Sequence, residues 1–92
     1  MGQISSAQAG TLESNDIFIR MTAAPDGEGG SITVESIVMQ QFGDDILQTI
    51  KDCLAEAGLK GVDIHANDRG ALKCTIVARM EAVAARYKEA LR

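Results

Sequence analysis

Two short stretches near the start of the chain, residues 17–22 and residues 32–35, alternate apolar and polar side chains. A period of two is typical of a strand that buries one face and exposes the other. Residues 23–30, between the two stretches, include three glycines and the one proline of the chain, and these residue types favour turns. We therefore predict two strands that pair as an antiparallel hairpin.

From Phe42 onward the apolar side chains recur at helical spacing, which predicts a helix with one buried stripe. Gly58 suits the left-handed residue that ends many helices, and Asp44 and Asp45 would interact favourably with the amide dipoles near the helix start. Residues 37–39 could extend this helix backward. The stripe comprises Phe42, Ile46, Leu47, Ile50, Cys53, Leu54 and Ala57.

The second half of the chain repeats the change from alternation to helical spacing. Residues 62–67 predict a third strand, Asp68-Arg69-Gly70 favours a tight turn, and residues 71–91 predict a second helix. The apolar stripe of this helix comprises Leu72, Ile76, Met80, Val83, Tyr87 and Leu91.

These elements, in the order ββαβα, predict an α+β fold: a two-layer domain with a small three-stranded mixed sheet and two helices packed on one face. A right-handed crossover is expected from the second strand through the first helix to the third strand, if those strands are parallel. The chain length suits one domain, residues 1–92, with a mostly aliphatic core because only three side chains are aromatic. Residues 1–11 show no periodicity, and we predict a flexible arm there.

Ser14 is the candidate functional residue, because it lies among polar side chains that favour an exposed turn. Residues 13–16 disfavour both helix interiors and strands. The one histidine is His65, and no Gly-x-Ser-x-Gly motif surrounds the serine, so nothing local would activate it as a nucleophile. We therefore predict that Ser14 is modified rather than reactive. Ser5 and Ser6 are rival sites without that polar setting.

Three blocks of the sequence carry a resemblance to a known family. They are Ala9–Asp16 (AGTLESND), Gln41–Ile46 (QFGDDI) and Asp68–Ile76 (DRGALKCTI), the last followed by Ala78-Arg79. On these blocks the chain closely resembles the acyl carrier subunits (gamma chains) of citrate lyase, over nearly its whole length. Two positions depart from the family pattern: Asn15 stands where serine or glycine is frequent, and Lys73 stands where aspartate is frequent.

The resemblance implies a covalent prosthetic group on a serine. In the family the matching serine, here Ser14, carries 2'-(5''-phosphoribosyl)-3'-dephospho-coenzyme A through a phosphodiester, and the terminal thiol of that group carries the acyl chain. The chain would be a non-catalytic carrier that a prosthetic-group transferase loads. A transferase (alpha) subunit would exchange acetyl for citryl, and a lyase (beta) subunit would cleave the citryl carrier to oxaloacetate and acetyl carrier. This is the chemistry of citrate fermentation.

Three other hypotheses stay open. The acyl carrier subunit of malonate decarboxylase uses a similar prosthetic group, although residues 10–13 favour citrate lyase. A small non-carrier protein-interaction domain would use its sheet face or helix grooves to bind another protein. A small enzyme would have to use Ser14 or His65.

Negative charge is concentrated in the half of the chain that contains Ser14. The net charge of −4 divides into −6 for residues 1–45 and +2 for residues 46–92. An acidic field would steer a carrier toward basic partner surfaces, although a solvated acidic surface has the same composition. The amino terminus resembles neither a signal peptide nor a membrane span, and we expect a cytoplasmic protein without membrane or nucleic-acid partners.

Four further side chains receive structural interpretations. Cys53 and Cys74 are expected to be buried free thiols on helices, and no clustered cysteine or histidine spacing predicts a metal site. His65 is expected to face solvent. Arg79 falls at the edge of the second helix's buried stripe, so its charge must meet an anionic partner or reach water. The partner could be a core carboxylate or a phosphate of the prosthetic group.

Overall fold

Residues 5–25 and 30–91, which a computed structural model of the chain describes, form four strands and two helices. The elements are β1 (Ser6–Ala9), β2 (Ile17–Ala23), β3 (Ile32–Ser36), α1 (Met39–Ala57), β4 (Val62–Asp68) and α2 (Lys73–Ala90). Residues 1–4 of the predicted arm and residues 26–29 of the predicted turn lie outside the described residues.

The strand β1 lies inside the segment that was predicted to be a flexible arm, so that prediction was wrong for residues 6–9. β1 pairs antiparallel with β2, with Ala7 opposite Met21 and Ala9 opposite Ile19. Alternating alanines carry little hydrophobic signal and alanine has a low strand propensity, so the sequence pattern did not reveal this strand. Ala9 is nevertheless fully buried, and the α2 helix packs against β1.

The sheet has the strand order β1-β2-β4-β3, and the predicted hairpin between β2 and β3 was wrong. β4 lies between them, antiparallel to β2 and parallel to β3. The apolar face of β4 is fully buried whereas that of β3 is only half-buried, so the central position goes to the strand with more apolar surface to cover. The two strands joined through α1 are parallel, which is the condition under which a right-handed crossover was expected.

The two-layer α+β architecture is confirmed, with four strands rather than three. Along every strand the less exposed residues alternate with more exposed ones, and the register brings the less exposed residues to one face of the sheet. Both helices cover that face: α2 packs on β1 and β2, α1 packs on β3, and the helices contact each other. The largest fully buried apolar side chains are Ile17, Ile19, Met21, Ile50, Ile64, Met80 and Val83.

Three apolar residues of the predicted helical stripes are exposed instead. Leu72 is 69% exposed because it precedes the first residue of α2, and Leu91 is 56% exposed because it follows the last. Phe42 is 50% exposed. The buried arc of α1 runs through Gly43 and Ile46, which leaves Phe42 at the border of that arc.

Both predicted helices are confirmed, with different starts. α1 begins at Met39, so Asp44 and Asp45 lie beyond its first turn and the predicted dipole interaction was wrong. Gly58 adopts the predicted left-handed conformation (φ 68°) and donates its N–H to the carbonyl of Ala55. Among the described residues, neither helix has the length and apolar character needed to cross a membrane.

Candidate functional site

Ser14 lies in the exposed connection between β1 and β2. Residues 11–15 are all exposed, in agreement with the predicted polar turn. Gly10, immediately after β1, has a φ of +90°, and a Cβ added there would lie 1.8 Å from the carbonyl oxygen of Ile17. The glycine therefore allows the chain to turn closely across the start of β2, which places Ser14 at the tip of a tight turn.

Backbone hydrogen bonds hold the end of the turn against the segment that follows β4. Asn15 has a φ of 65° and donates its N–H to the carbonyl of Arg69 at 2.8 Å. The backbone N–H of Arg69 in turn donates to the carbonyl of Asp16 at 2.9 Å. Asn is one of the few non-glycine residues that adopt this left-handed conformation readily. The residue after Ser14 is thus fixed to the segment that follows β4.

Asp16 holds the turn together from the inside. Its carboxylate accepts hydrogen bonds from the Thr11 hydroxyl (2.7 Å) and from the backbone N–H of Ile17 (2.7 Å). Arg79 on α2 donates through Nε to Oδ1 at 3.0 Å and through Nη2 to Oδ2 at 2.9 Å. The Arg79 hydrogen bond lowers the pKa of Asp16 from 3.8 to about 2, against the opposing effect of burial. The partner of Arg79 is therefore a carboxylate within this chain.

Asp68 is the second buried carboxylate of this region. The sequence indicated only a tight turn at this position, so no structural role was predicted for its side chain. Asp68 is fully buried at the end of β4. It accepts hydrogen bonds from the Ser36 hydroxyl (2.7 Å) and from the N–H groups of Gly70 (3.1 Å) and Ala71 (3.0 Å). It therefore fixes the path from β4 to α2 that runs beside the Ser14 turn. An aspartate that directly follows an apolar strand and precedes Arg-Gly is the signal that could have identified this role.

A groove of about 600 Å³ opens beside the turn. One wall is formed by seven residues between positions 38 and 52, and the other by residues 70–73 with Ile76. We refer to this surface as the interhelix groove. Gly70 connects it to the turn, because a Cβ added at Gly70 would lie 3.7 Å from Asn15 Oδ1 and 3.7 Å from Ile37 Cδ1. The groove and the Ser14 turn thus share one rim.

The other candidate residues lie apart from this cluster. His65 faces solvent as predicted, on the sheet face away from the helices, and its Nε2 lies 3.1 Å from Glu35 Oε2. Ser6 lies in β1 opposite Thr22. Within residues 5–25 and 30–91, no group of three or more histidine, cysteine or acidic side chains could hold a metal ion.

Both cysteines are free thiols on helices, as predicted, but they differ in exposure. Cys53 on α1 is half-buried, and burial raises the pKa of its thiol. Cys74 is exposed, so the prediction that it is buried was wrong. It lies in the first turn of α2, on the side away from the arc that contains Ile76 and Met80.

Comparison with known proteins identifies the family. A family model described as "Malonate decarboxylase delta subunit (MdcD)" matches residues 4–87. Citrate lyase acyl carrier proteins from Klebsiella pneumoniae subsp. pneumoniae and from Klebsiella pneumoniae are 42% identical to this chain over 80 residues. These alignments cover 87% of this chain and 81% of each relative. The chain belongs to the citrate lyase acyl carrier protein family.

The resemblance found in the sequence is therefore confirmed at the level of the citrate lyase acyl carrier family. The family model spans the Ser14 turn, Arg79 and both walls of the interhelix groove. A crystal structure of a protein from Thermus thermophilus superposes with a TM-score of 0.52 at 10% identity, covering 95% of this chain and 16% of that one. At that identity the likeness shows the fold alone, and the family assignment depends on the sequence relatives.

Proposed function

We propose that this chain is the acyl carrier subunit of citrate lyase, with phosphoribosyl dephospho-coenzyme A attached to the Ser14 hydroxyl through a phosphodiester. When bound, this group supplies a thiol that holds acetyl and citryl chains as thioesters. The chain itself performs no bond-making step. The transferase (alpha) and lyase (beta) subunits act on the acyl group, and a prosthetic-group transferase attaches the arm.

The observation that carries the proposal is the exposed Ser14 side chain at the tip of a turn in which the next residue, Asn15, is hydrogen-bonded to the segment after β4. An attaching enzyme needs a hydroxyl that it can reach and a backbone that presents it in one conformation, because ordering a mobile loop would cost binding free energy. Asn15 and Asp16 provide this second property through their backbone and side-chain hydrogen bonds.

The residues around Ser14 also fit a phosphodiester electrostatically. A free carboxylate two residues from the serine would repel an incoming phosphate, but Arg79 pairs with Asp16. Glu13 remains as the exposed acid next to the serine. Ser14 needs no lowered pKa for this role, since the activating groups belong to the attaching enzyme.

Covalent attachment explains how a chain without catalytic groups would serve two enzymes. A tethered acyl group meets both active sites at high effective concentration, provided that the arm spans the distance between them. The acidic amino-terminal half of the chain would favour docking on basic surfaces of those partners. We assign the carrier to the cytoplasm, where free thiols such as Cys74 persist.

A second candidate is the acyl carrier role in malonate decarboxylase, which the description of the matching family model favours. The 42% identity to citrate lyase carriers favours the first candidate. The loaded chain distinguishes them when it is mixed with the transferase subunits of either system: the citrate lyase proposal requires conversion of the acetyl form to the citryl form.

The deciding test is the intact mass of the chain from cells that also make the citrate lyase accessory enzymes. We expect a mass increase equal to the phosphoribosyl dephospho-coenzyme A group. Because no lysine or arginine precedes Arg20, trypsin leaves Ser5, Ser6 and Ser14 in one peptide. Cleavage after Glu13 separates them, and fragment ions then assign the group to Ser14. An unmodified chain would favour the protein-interaction hypothesis.

A further inference from the structure

We infer that the interhelix groove is a binding site for the prosthetic arm itself, so that the arm attached at Ser14 folds back onto its own carrier between visits to the partner enzymes. This inference rests on the proposed attachment at Ser14 and adds a second site to it. The groove is a concave surface that approaches the turn at Gly70, and its volume of about 600 Å³ lies within the range of small-molecule sites.

Position is the first argument. Gly70 forms part of the groove wall, and a Cβ added there would lie 3.7 Å from Oδ1 of Asn15, the residue directly after Ser14. The hydrogen bond between the Asn15 N–H and the Arg69 carbonyl keeps the two segments together. An arm that begins at Ser14 therefore begins at the rim of the groove, and tethering raises its effective concentration there far above that of any free ligand.

The distribution of apolar surface is the second argument. Ile46 and Ile76 are buried and line the groove, whereas Phe42 and Leu72 stand at its edges with 50% and 69% of their surface exposed. Exposed apolar side chains around a concave apolar surface are typical of a site that a ligand covers. The pantetheine part of the arm, with its paired methyl groups and its amides, matches such a surface.

Charge is the third argument. Lys73 is the one cation among the groove residues, and it lies three positions after Gly70, on the wall that meets the turn. Asp45 and Asp52 belong to the opposite wall, on α1. The phosphodiester of the arm, which is bonded to Ser14, would lie toward Lys73, and its neutral pantetheine part would lie along the acidic wall without repulsion.

The test is a nuclear magnetic resonance experiment on the full chain, labelled with ¹³C and ¹⁵N and loaded with an unlabelled arm by the prosthetic-group transferase. Isotope-filtered spectra report protons of the arm that lie close to protons of the protein. We expect cross-peaks from the paired methyl groups of the arm to Phe42, Leu72 and Ile76. Cross-peaks confined to residues 11–16 in a loaded chain would overturn the inference.

Two matched variants make the test specific. Leu72→Glu adds a charge at the groove edge, and Leu91→Glu makes the same change at an exposed leucine at the other end of α2. We expect Leu72→Glu to abolish the cross-peaks to Phe42 and Ile76 while loading continues, and Leu91→Glu to retain them. Equal cross-peaks in both variants, or cross-peaks that appear only between two copies of the chain, would contradict the inference.

Two measurements distinguish an error in the groove site from an error in the attachment at Ser14. Intact mass reports whether Ser14 is loaded, and the cross-peaks report where the loaded arm lies. A loaded chain without groove cross-peaks overturns the groove site alone, whereas an unloaded chain overturns both.

Discussion

Arg79 and Asp16, which are 63 residues apart in sequence, form a two-point contact in which the guanidinium Nε and Nη2 meet the two carboxylate oxygens at 3.0 and 2.9 Å. This contact connects α2 to the last residue of the Ser14 turn. Because Asp16 also accepts hydrogen bonds from Thr11 and Ile17, one carboxylate fixes both ends of the turn. The helix that covers the core therefore also sets the conformation in which Ser14 is presented.

Replacing Arg79 with glutamine should destabilise the chain by about 1–3 kcal/mol, because it leaves a mostly buried carboxylate without its charged partner. It should also slow attachment at Ser14, since the turn loses its contact with α2. Chemical denaturation and the rate of mass increase measure the two effects. Arg20→Gln, on an exposed position of β2, is the matched control and should change stability by less than about 0.5 kcal/mol. Equal stability of the two variants would contradict the role assigned to Arg79.

The stabilising effect of this contact should disappear in acid. Arg79 lowers the pKa of Asp16 in the folded chain to about 2, below the value of about 3.9 for an unfolded aspartate. The stabilisation is thus complete above about pH 4 and is lost as the pH falls through about 2. The free energy of unfolding of the parent chain and of Arg79→Gln, measured from pH 7 downward, should therefore converge below pH 4. A difference that stays constant across this range would show that Asp16 is not the titrating group.

Ser14→Ala should abolish attachment of the prosthetic group and leave the fold intact, with a change in stability below about 0.5 kcal/mol, because the Ser14 side chain is exposed. Ser6→Ala, on the exposed side of β1, is the control and should be loaded normally. Intact mass and denaturant unfolding of both variants check this. Loading of Ser14→Ala, or loss of loading in Ser6→Ala, would assign the attachment to another serine.

Local periodicity predicted most of the elements because their signals lie within single segments. The alternation at residues 17–22 and 62–67 and the stripe around Ile50 correspond to β2, β4 and α1. Strand order depends on contacts between distant segments, and the adjacent position of β2 and β3 in sequence suggested a hairpin where β4 intervenes. The sequence did not predict β1, because this strand depends on pairing with β2 and has no strong apolar alternation of its own.

In the candidate site, too, some features could be predicted from neighbouring residues and others depend on contacts between distant segments. Exposure of Ser14 follows from its polar neighbours, and the structure agrees. The need of Arg79 for an anionic partner also followed from its place on a buried stripe, but the identity of Asp16 as that partner required the fold. The interhelix groove forms between α1 and a wall made by the segment before α2 and the first turn of α2, and neither wall alone has a sequence signal that predicts it.

Alanine substitution of a core residue and of a border residue of α1 should lower the unfolding free energy by different amounts, although the sequence pattern placed both residues in one apolar stripe. Ile50 is fully buried, so Ile50→Ala should cost about 2–5 kcal/mol of unfolding free energy. Phe42 is half exposed, so Phe42→Ala should cost less than about 1 kcal/mol despite the larger side chain. Urea unfolding at neutral pH measures both. A larger loss for Phe42→Ala would indicate that its ring packs into the core rather than at the groove edge.

Gly10 should tolerate substitution less well than Gly58, which also has a positive φ, because two independent costs coincide at Gly10. Its φ of +90° strains any residue with a side chain, and a Cβ would also overlap the backbone carbonyl of Ile17 at 1.8 Å. Gly10→Ala should therefore destabilise the chain by more than about 3 kcal/mol. Gly58→Ala is the control, since Gly58 has a φ of 68° but no atom within 4 Å of an added Cβ, and it should cost only about 1–2 kcal/mol.

Because β1 and β2 can relieve the overlap only by moving apart, Gly10→Ala should also increase amide hydrogen exchange in residues 11–17, whereas Gly58→Ala should not. Equal stability of the two variants would mean that the turn before Ser14 opens freely, and the rigid presentation of Ser14 would then be wrong.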